Sequence, residues 1–287
     1  MQQEIIDLYD DYTHSRLDRR VFLKRLAQLA GSMAAAEALL PLLSANQARA
    51  AILAPDDARV AATRVNFAGG KGEVKAYEVR PKEAKGKLPA VVVIHENRGL
   101  NAHIEDVTRR LALEGFLALA PDLLSSAGGT PADEDAAREA IGKLVAEEVT
   151  ADLEAALAYL AKHQAGNGKV GAVGFCWGGL RVGELAVAAG ANLGAGVVYY
   201  GRQPKSEDVP KIKAPLLLHY ASLDTRIAEG IPAFEAALKE NKKTYTLYNY
   251  EGANHAFNND TSEARYNQEA ATLAWSRTVA FFKQHLG

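Results

Sequence analysis

A single cysteine, Cys176, is all the thiol chemistry this chain has. That excludes an intramolecular disulfide. With no CxxC pair and no HExxH pair, nothing in the sequence carries the spacing of a zinc site. The seven histidines (14, 95, 103, 163, 219, 255 and 285) are scattered. Excess charge is missing too. Lys and Arg number 33 and Asp and Glu 35, a net charge of −2, so no overall basic field favours nucleic acid. No internal repeat or low-complexity linker divides the chain. The longest apolar stretch, residues 26–43, is interrupted by Glu37 and Pro41 and makes a poor membrane span. What remains is an ordinary globular composition in 287 residues, enough to bury a large core.

The first fifty residues carry a pattern of their own. Asp18-Arg19-Arg20-Val21-Phe22-Leu23-Lys24 resembles a twin-arginine export motif. The apolar stretch follows it, and Ala48-Arg49-Ala50 has the small-x-small form read by a signal peptidase. The expectation is a periplasmic protein whose first fifty residues are an export signal. The alternative is an accessory amphipathic helix retained on a cytoplasmic protein.

After residue 60 the apolar pattern alternates between strand and helix periods. Residues 74–79 alternate apolar and polar, and 90–95 form a continuous β-branched run, as in a central strand covered on both faces. Helical periods follow over 103–114, and a charged helix is expected over 133–148 with Thr150 capping the next. Buried strands are expected at 169–175, 194–200, 215–220 and 244–250, with helices at 178–189, 231–241 and 266–285. This β-α alternation implies one mostly parallel sheet with helices on both faces, in a single domain over 60–287.

One motif sits where a buried strand meets a small-residue helix: Gly174-Phe175-Cys176-Trp177-Gly178-Gly179. A nucleophile elbow needs that context, with glycines that let neighbouring backbone approach. At the helix N-terminus the local positive potential favours a thiolate. The backbone N–H of Trp177 is a candidate oxyanion donor. Asp224 follows the strand at 215–220, and His255 lies in a loop after the strand at 244–250. The order nucleophile, acid, histidine is that of the α/β-hydrolase fold. Cys176 would attack a carbonyl, His255 would take its proton, and Asp224 would orient His255.

These residues, with Val91 to Gly99 and Ala118 to Leu123, resemble the dienelactone hydrolase (carboxymethylenebutenolidase) family over about residues 60–287. The resemblance implies that Glu96 contacts the cysteine and helps generate the thiolate, and that the backbone N–H of Asn97 completes the oxyanion hole. Members that take dienelactone bind its carboxylate with arginines. Here Asn259 stands at one such place, four residues after the histidine, and Arg138 is the candidate for another. Arg98, Tyr200 and Phe257 are further substrate-binding candidates. His95 and His219, inside strands, read as core, and Asp122 as a turn cap.

The expected protein is a hydrolase of a small ester, lactone or enol-lactone, using no metal or cofactor, and a monomer or weak dimer. Two alternatives stay open: a thioesterase or amidase with the same triad, and a non-catalytic thiol redox sensor.

Overall fold

The computed structural model describes residues 1–14, 17–44 and 52–287, so the expected cleavage region at Ala48 to Ala50 lies outside the described residues. Eight strands form one sheet: β1 (Val60–Ala68), β2 (Glu73–Pro81), β3 (Leu88–Ile94), β4 (Leu117–Pro121), β5 (Gly166–Phe175), β6 (Ala195–Tyr199), β7 (Leu216–Ala221) and β8 (Tyr245–Tyr250). Their order is β1-β2-β4-β3-β5-β6-β7-β8. Strand β2 pairs antiparallel with both β1 and β4, and every later neighbour pair is parallel. The expected mostly parallel sheet is thus present, with an antiparallel edge. Val91, Val92, Val93 and Ile94 are fully buried, because the two apolar layers cover both faces of β3. Strand β1 escaped the sequence reading because it is a mostly exposed edge with no clean alternation.

Among the described residues, three helices precede the sheet: α1 (Gln3–Thr13), α2 (Arg19–Ala30) and α3 (Met33–Leu43). Seven more follow: α4 (Ala102–Leu113), α5 (Glu134–Gly142), α6 (Ala146–Ala161), α7 (Trp177–Ala188), α8 (Thr225–Ala228), α9 (Ile231–Glu240) and α10 (Gln268–Leu286). The charged helix expected over 133–148 is two elements. Helix α5 closes at Gly142, and α6 begins at Ala146. Thr150 therefore does not cap; it lies inside α6, where its hydroxyl donates to the Ala146 carbonyl at 2.9 Å. The buried face of α6 starts at Val149 and continues through Leu153, Ala156, Leu157 and Leu160. Burying that stripe outweighs the preference of threonine for a cap.

The N-terminal helices have a small core of their own, built from Ile5, Leu8, Tyr9, Tyr12, Phe22, Leu26, Ala36 and Leu43. Asp18 caps α2 by accepting from the Arg20 N–H. Gly31, at φ 85°, ends it in the left-handed region, and Ser32 caps α3. The two helices bend by 108° at that break, and no single helix among the described residues is long and apolar enough to cross a membrane. The segment lies against the body. Gln3 Nε2 donates to Asn254 Oδ1 at 2.6 Å, and the Ser262 hydroxyl donates to the Leu43 carbonyl at 3.1 Å.

Candidate active site

Cys176 sits between the end of β5 and the first residue of α7, at φ 55° and ψ −114°. A side chain held there strains the backbone by about 1–3 kcal/mol, a cost usually met at functional positions. Of the four non-glycine residues with positive φ among the described residues, Cys176, Tyr200 and Ala256 all surround this point. The turn is tight enough to require glycine nearby. A Cβ on Gly174 would lie 2.1 Å from the Gly178 carbonyl oxygen, and one on Gly178 would lie 2.5 Å from that of His95.

Asp224 ends the turn after β7, and His255 lies within the loop between β8 and α10. Their side chains meet, with His255 Nδ1 2.5 Å from Asp224 Oδ2. The carboxylate can only accept, so Nδ1 carries the proton. Burial pushes the imidazole down to about 3, so the resting ring is neutral. Its Nε2 is buried with no hydrogen-bond partner among the described residues. A ring nitrogen of His255 lies within 4.8 Å of the Cys176 sulfur.

The thiol is not the resting thiolate that a helix N-terminus alone would favour. Burial first, and then the charge of Glu96, push it up to about 12, while Arg226, the Trp177 N–H and Arg265 pull the other way. Desolvation of a buried anion outweighs one partial helix charge here. Glu96 makes no direct contact of hydrogen-bond type with Cys176. Its Oε2 accepts from Asn259 Nδ2 at 2.8 Å, and its Oε1 lies 3.5 Å from the Tyr200 hydroxyl. Asn259 is thus the partner of Glu96.

Beside the sulfur is a cavity of about 400 Å³, a size that suits a small molecule. Asn97, Trp177, Arg138, Arg202 and Arg226 line it with Cys176 and His255. Trp177 opens α7, so its N–H is one of those that a helix leaves unpaired. The other candidates stand farther back. Arg98 is buried and pairs with Glu134 at 3.5 Å, along a narrow adjoining pocket that also reaches Glu96 and Cys176. Tyr200 lies under His255, with ring centroids 5.1 Å apart. Phe257 is fully buried between Tyr200 and Tyr250 and does not line the cavity. His95 stacks on Trp177 and donates Nδ1–H to the Glu96 carbonyl, as a core histidine does. His219 bonds Thr278 and Tyr250 in the core. Asp122 accepts from Leu124 and Thr130 and holds its turn.

Two residues that sequence reasoning passed over are here. Arg226 places Nη2 3.2 Å from both His255 Nδ1 and His14 Nε2. His14, at the end of α1, places Nε2 3.3 Å from Cys176 Sγ. The two imidazole rings meet edge to face at 4.8 Å. His14, Cys176 and His255 are the kind of donor set that a soft divalent ion takes, but the Arg226 guanidinium puts a fixed positive charge against it. No local motif marks His14. The signal that was available is the helical spacing of Ile5, Tyr9 and Tyr12, an apolar face that needs a surface to cover it.

A model of the dienelactone hydrolase family matches residues 74–286. A second, described as YqhI-like, matches residues 1–31. An Escherichia coli O157:H7 protein described as a carboxymethylenebutenolidase is 35% identical over 249 residues, covering 81% of this chain and 90% of that one. A similarly described protein of Saccharolobus solfataricus is 34% identical over 248 residues, covering 74% and 94%. Among solved structures, a protein described as a dienelactone hydrolase from Klebsiella pneumoniae superposes with a TM-score of 0.72 at 32% identity, covering 78% of this chain and 99% of its own.

Proposed function

The chain belongs to the dienelactone hydrolase family, hydrolases of esters and lactones, and from that premise we propose that it works through Cys176 as nucleophile with His255 and Asp224. One observation carries this reading. The only thiol in the chain is held in strained backbone at a strand-to-helix turn, facing a cavity, with an Asp-paired histidine beside it. The sulfur attacks the substrate carbonyl, an acyl-enzyme forms, and water releases the acid. Asp224 keeps His255 in the tautomer whose free Nε2 faces the reaction, and stabilises the imidazolium when it forms. The N–H groups of Trp177 and Asn97 receive the oxyanion. Glu96 acts as a positioning residue, tying Asn259 and Tyr200 together beneath the sulfur.

The substrate is a small ester, lactone or enol-lactone. Arg138, Arg202 and Arg226 around one cavity suit an acyl group that carries a carboxylate. Cys176→Ala in the full chain should cut turnover of an activated aryl ester by about a thousand-fold or more while the fold is kept. Turnover near the parental rate in a correctly folded variant would reject the cysteine nucleophile.

The packing of α1 on this cavity supports a chain that keeps its first fifty residues, rather than one that sheds them on export to the periplasm. Intact-mass measurement on protein from the native host should find them present; a mature N-terminus just after Ala50 would reverse that reading.

A further inference from the structure

We propose that His14 is the base that removes the Cys176 proton in acylation, and that His255 is left to activate water in deacylation. This rests on Cys176 being the nucleophile. The geometry assigns the first step. His14 Nε2 is 3.3 Å from the sulfur, the one imidazole among the described residues that hydrogen-bonds it. His14 Nδ1 is 2.6 Å from the Asp10 carbonyl oxygen. A carbonyl only accepts, so Nδ1 carries the ring proton, and the Nε2 lone pair lies between the thiol and the Arg226 guanidinium, whose Nη2 is 3.2 Å away. The thiol is held protonated by burial and by Glu96, so it needs a base in contact at the moment of attack. His255 Nε2, free of any hydrogen bond, is left for a water.

The placement is built, since α1 is anchored on the site itself. Asp10 pairs with the buried Arg265 at 3.0 Å. The Thr13 carbonyl accepts from the Asn97 side chain at 2.7 Å, and the Tyr12 carbonyl accepts from Arg138 at 2.5 Å. Gln3 bonds the neighbour of His255. Each anchor fixes a residue at or next to the cavity.

The steps balance. The thiol proton passes to His14 Nε2 as sulfur bonds the carbonyl carbon. The tetrahedral intermediate then collapses, the bond to the leaving oxygen breaks, and His14 returns the proton to that oxygen. In the second half His255 takes a proton from water, the water oxygen bonds the thioester carbon, the C–S bond breaks, and the proton goes back to sulfur. Because the proton moves as the C–S bond forms, no free thiolate has to accumulate. The titratable and charged groups facing His14 are Asp10 on its own helix, Arg226 of α8, Asp224 after β7, His255 and Cys176.

The test is the pre-steady-state burst of p-nitrophenyl acetate in full-length protein. His14→Ala should lower the burst rate by about 10²–10⁴-fold, with a melting temperature like the parent's, and added imidazole should restore part of it. A burst within about ten-fold of the parent, or a larger loss that imidazole leaves untouched, overturns the proposal. If His14→Ala does not fold, His14→Gln is used: the acidic limb of the burst's pH profile should vanish, and its persistence overturns the proposal. Cys176→Ala keeps the two failures apart. If that variant still turns over, the nucleophile is wrong. If it is dead while His14→Ala bursts normally, only the role of His14 falls.

Discussion

The body and the N-terminal helices are held together by different means. In the body, parallel strands share backbone ladders, and residues such as Val92, Leu119 and Ala172 are sealed in an apolar layer under helices. The N-terminal helices bury eight residues in a cluster of their own. They meet the body largely through polar and cation–π contacts: Asp10 with Arg265, Tyr12 with Asp135, and the Arg138 and Arg265 guanidiniums over Tyr12 and Tyr9. Such contacts give direction more than stability, since each exchanges a water partner for a protein one. The difference separates two tasks. The sheet fixes where the sulfur and the Asp–His pair stand. The helices position an imidazole against them through bonds that can open without unfolding the sheet.

A matched pair of substitutions sharpens that comparison. Leu119 in β4 and Leu26 in α2 are the same residue type, both fully buried. Truncating a buried leucine to alanine costs about 2–5 kcal/mol. Leu119→Ala should lower the unfolding free energy of the whole protein by that amount, read as a lower urea midpoint at unchanged slope by far-UV circular dichroism. Leu26→Ala should leave the sheet's midpoint close to the parent's. Its cost should appear as faster hydrogen exchange confined to α1–α3, together with slower acylation. An equal fall of the global midpoint in both variants would mean that the two regions unfold as one unit, and the comparison would break.

The sequence shows the body more readily than the cap, for physical reasons. A strand buried on both faces must be apolar at every position, so residues 90–94 announce β3. The elbow needs glycines at fixed offsets, so Gly174, Cys176 and Gly178 stand out, and Asp224 and His255 follow at strand ends in the expected order. Edge strand β1 carries no such constraint. The break between α5 and α6 turned on a buried stripe that starts at Val149, which a capping preference at Thr150 could not reveal. His14 is the hardest case. Its chemistry comes from a contact 162 positions away along the chain, and nothing in Tyr12-Thr13-His14 encodes that partner. The resting charge of Cys176 was also out of reach. Burial and Glu96 outweigh Trp177 and Arg226, and only the packed site brings those groups together.

The smaller effect, and the finer probe, is pH. Burial lowers His95, His219 and His255 in the body, and burial with the nearby His255 and Arg226 lowers His14 in the cap. A histidine whose folded pKa is depressed binds fewer protons folded than unfolded. Its contribution is complete above the unfolded value of about 6.5 and is lost as pH falls below that, at up to about 1.4 kcal/mol per pH unit for each proton. Asp10 has the opposite sign, because burial raises its carboxyl; its contribution is present in acid and lost as pH rises through its folded value. Between pH 6.5 and 5 the two groups therefore pull local opening of α1 in opposite directions, and His14→Gln removes the histidine part. Hydrogen exchange of α1, corrected for the intrinsic rate, should accelerate less, or slow more, as pH falls in His14→Gln than in the parent. The global urea midpoint should keep its own slope in the same variant, because His95 and His219 still have to be buried neutral. If His14→Gln instead changed the global slope and left the local one alone, the imidazole would belong energetically to the sheet, and the division of labour between the two regions would be reversed.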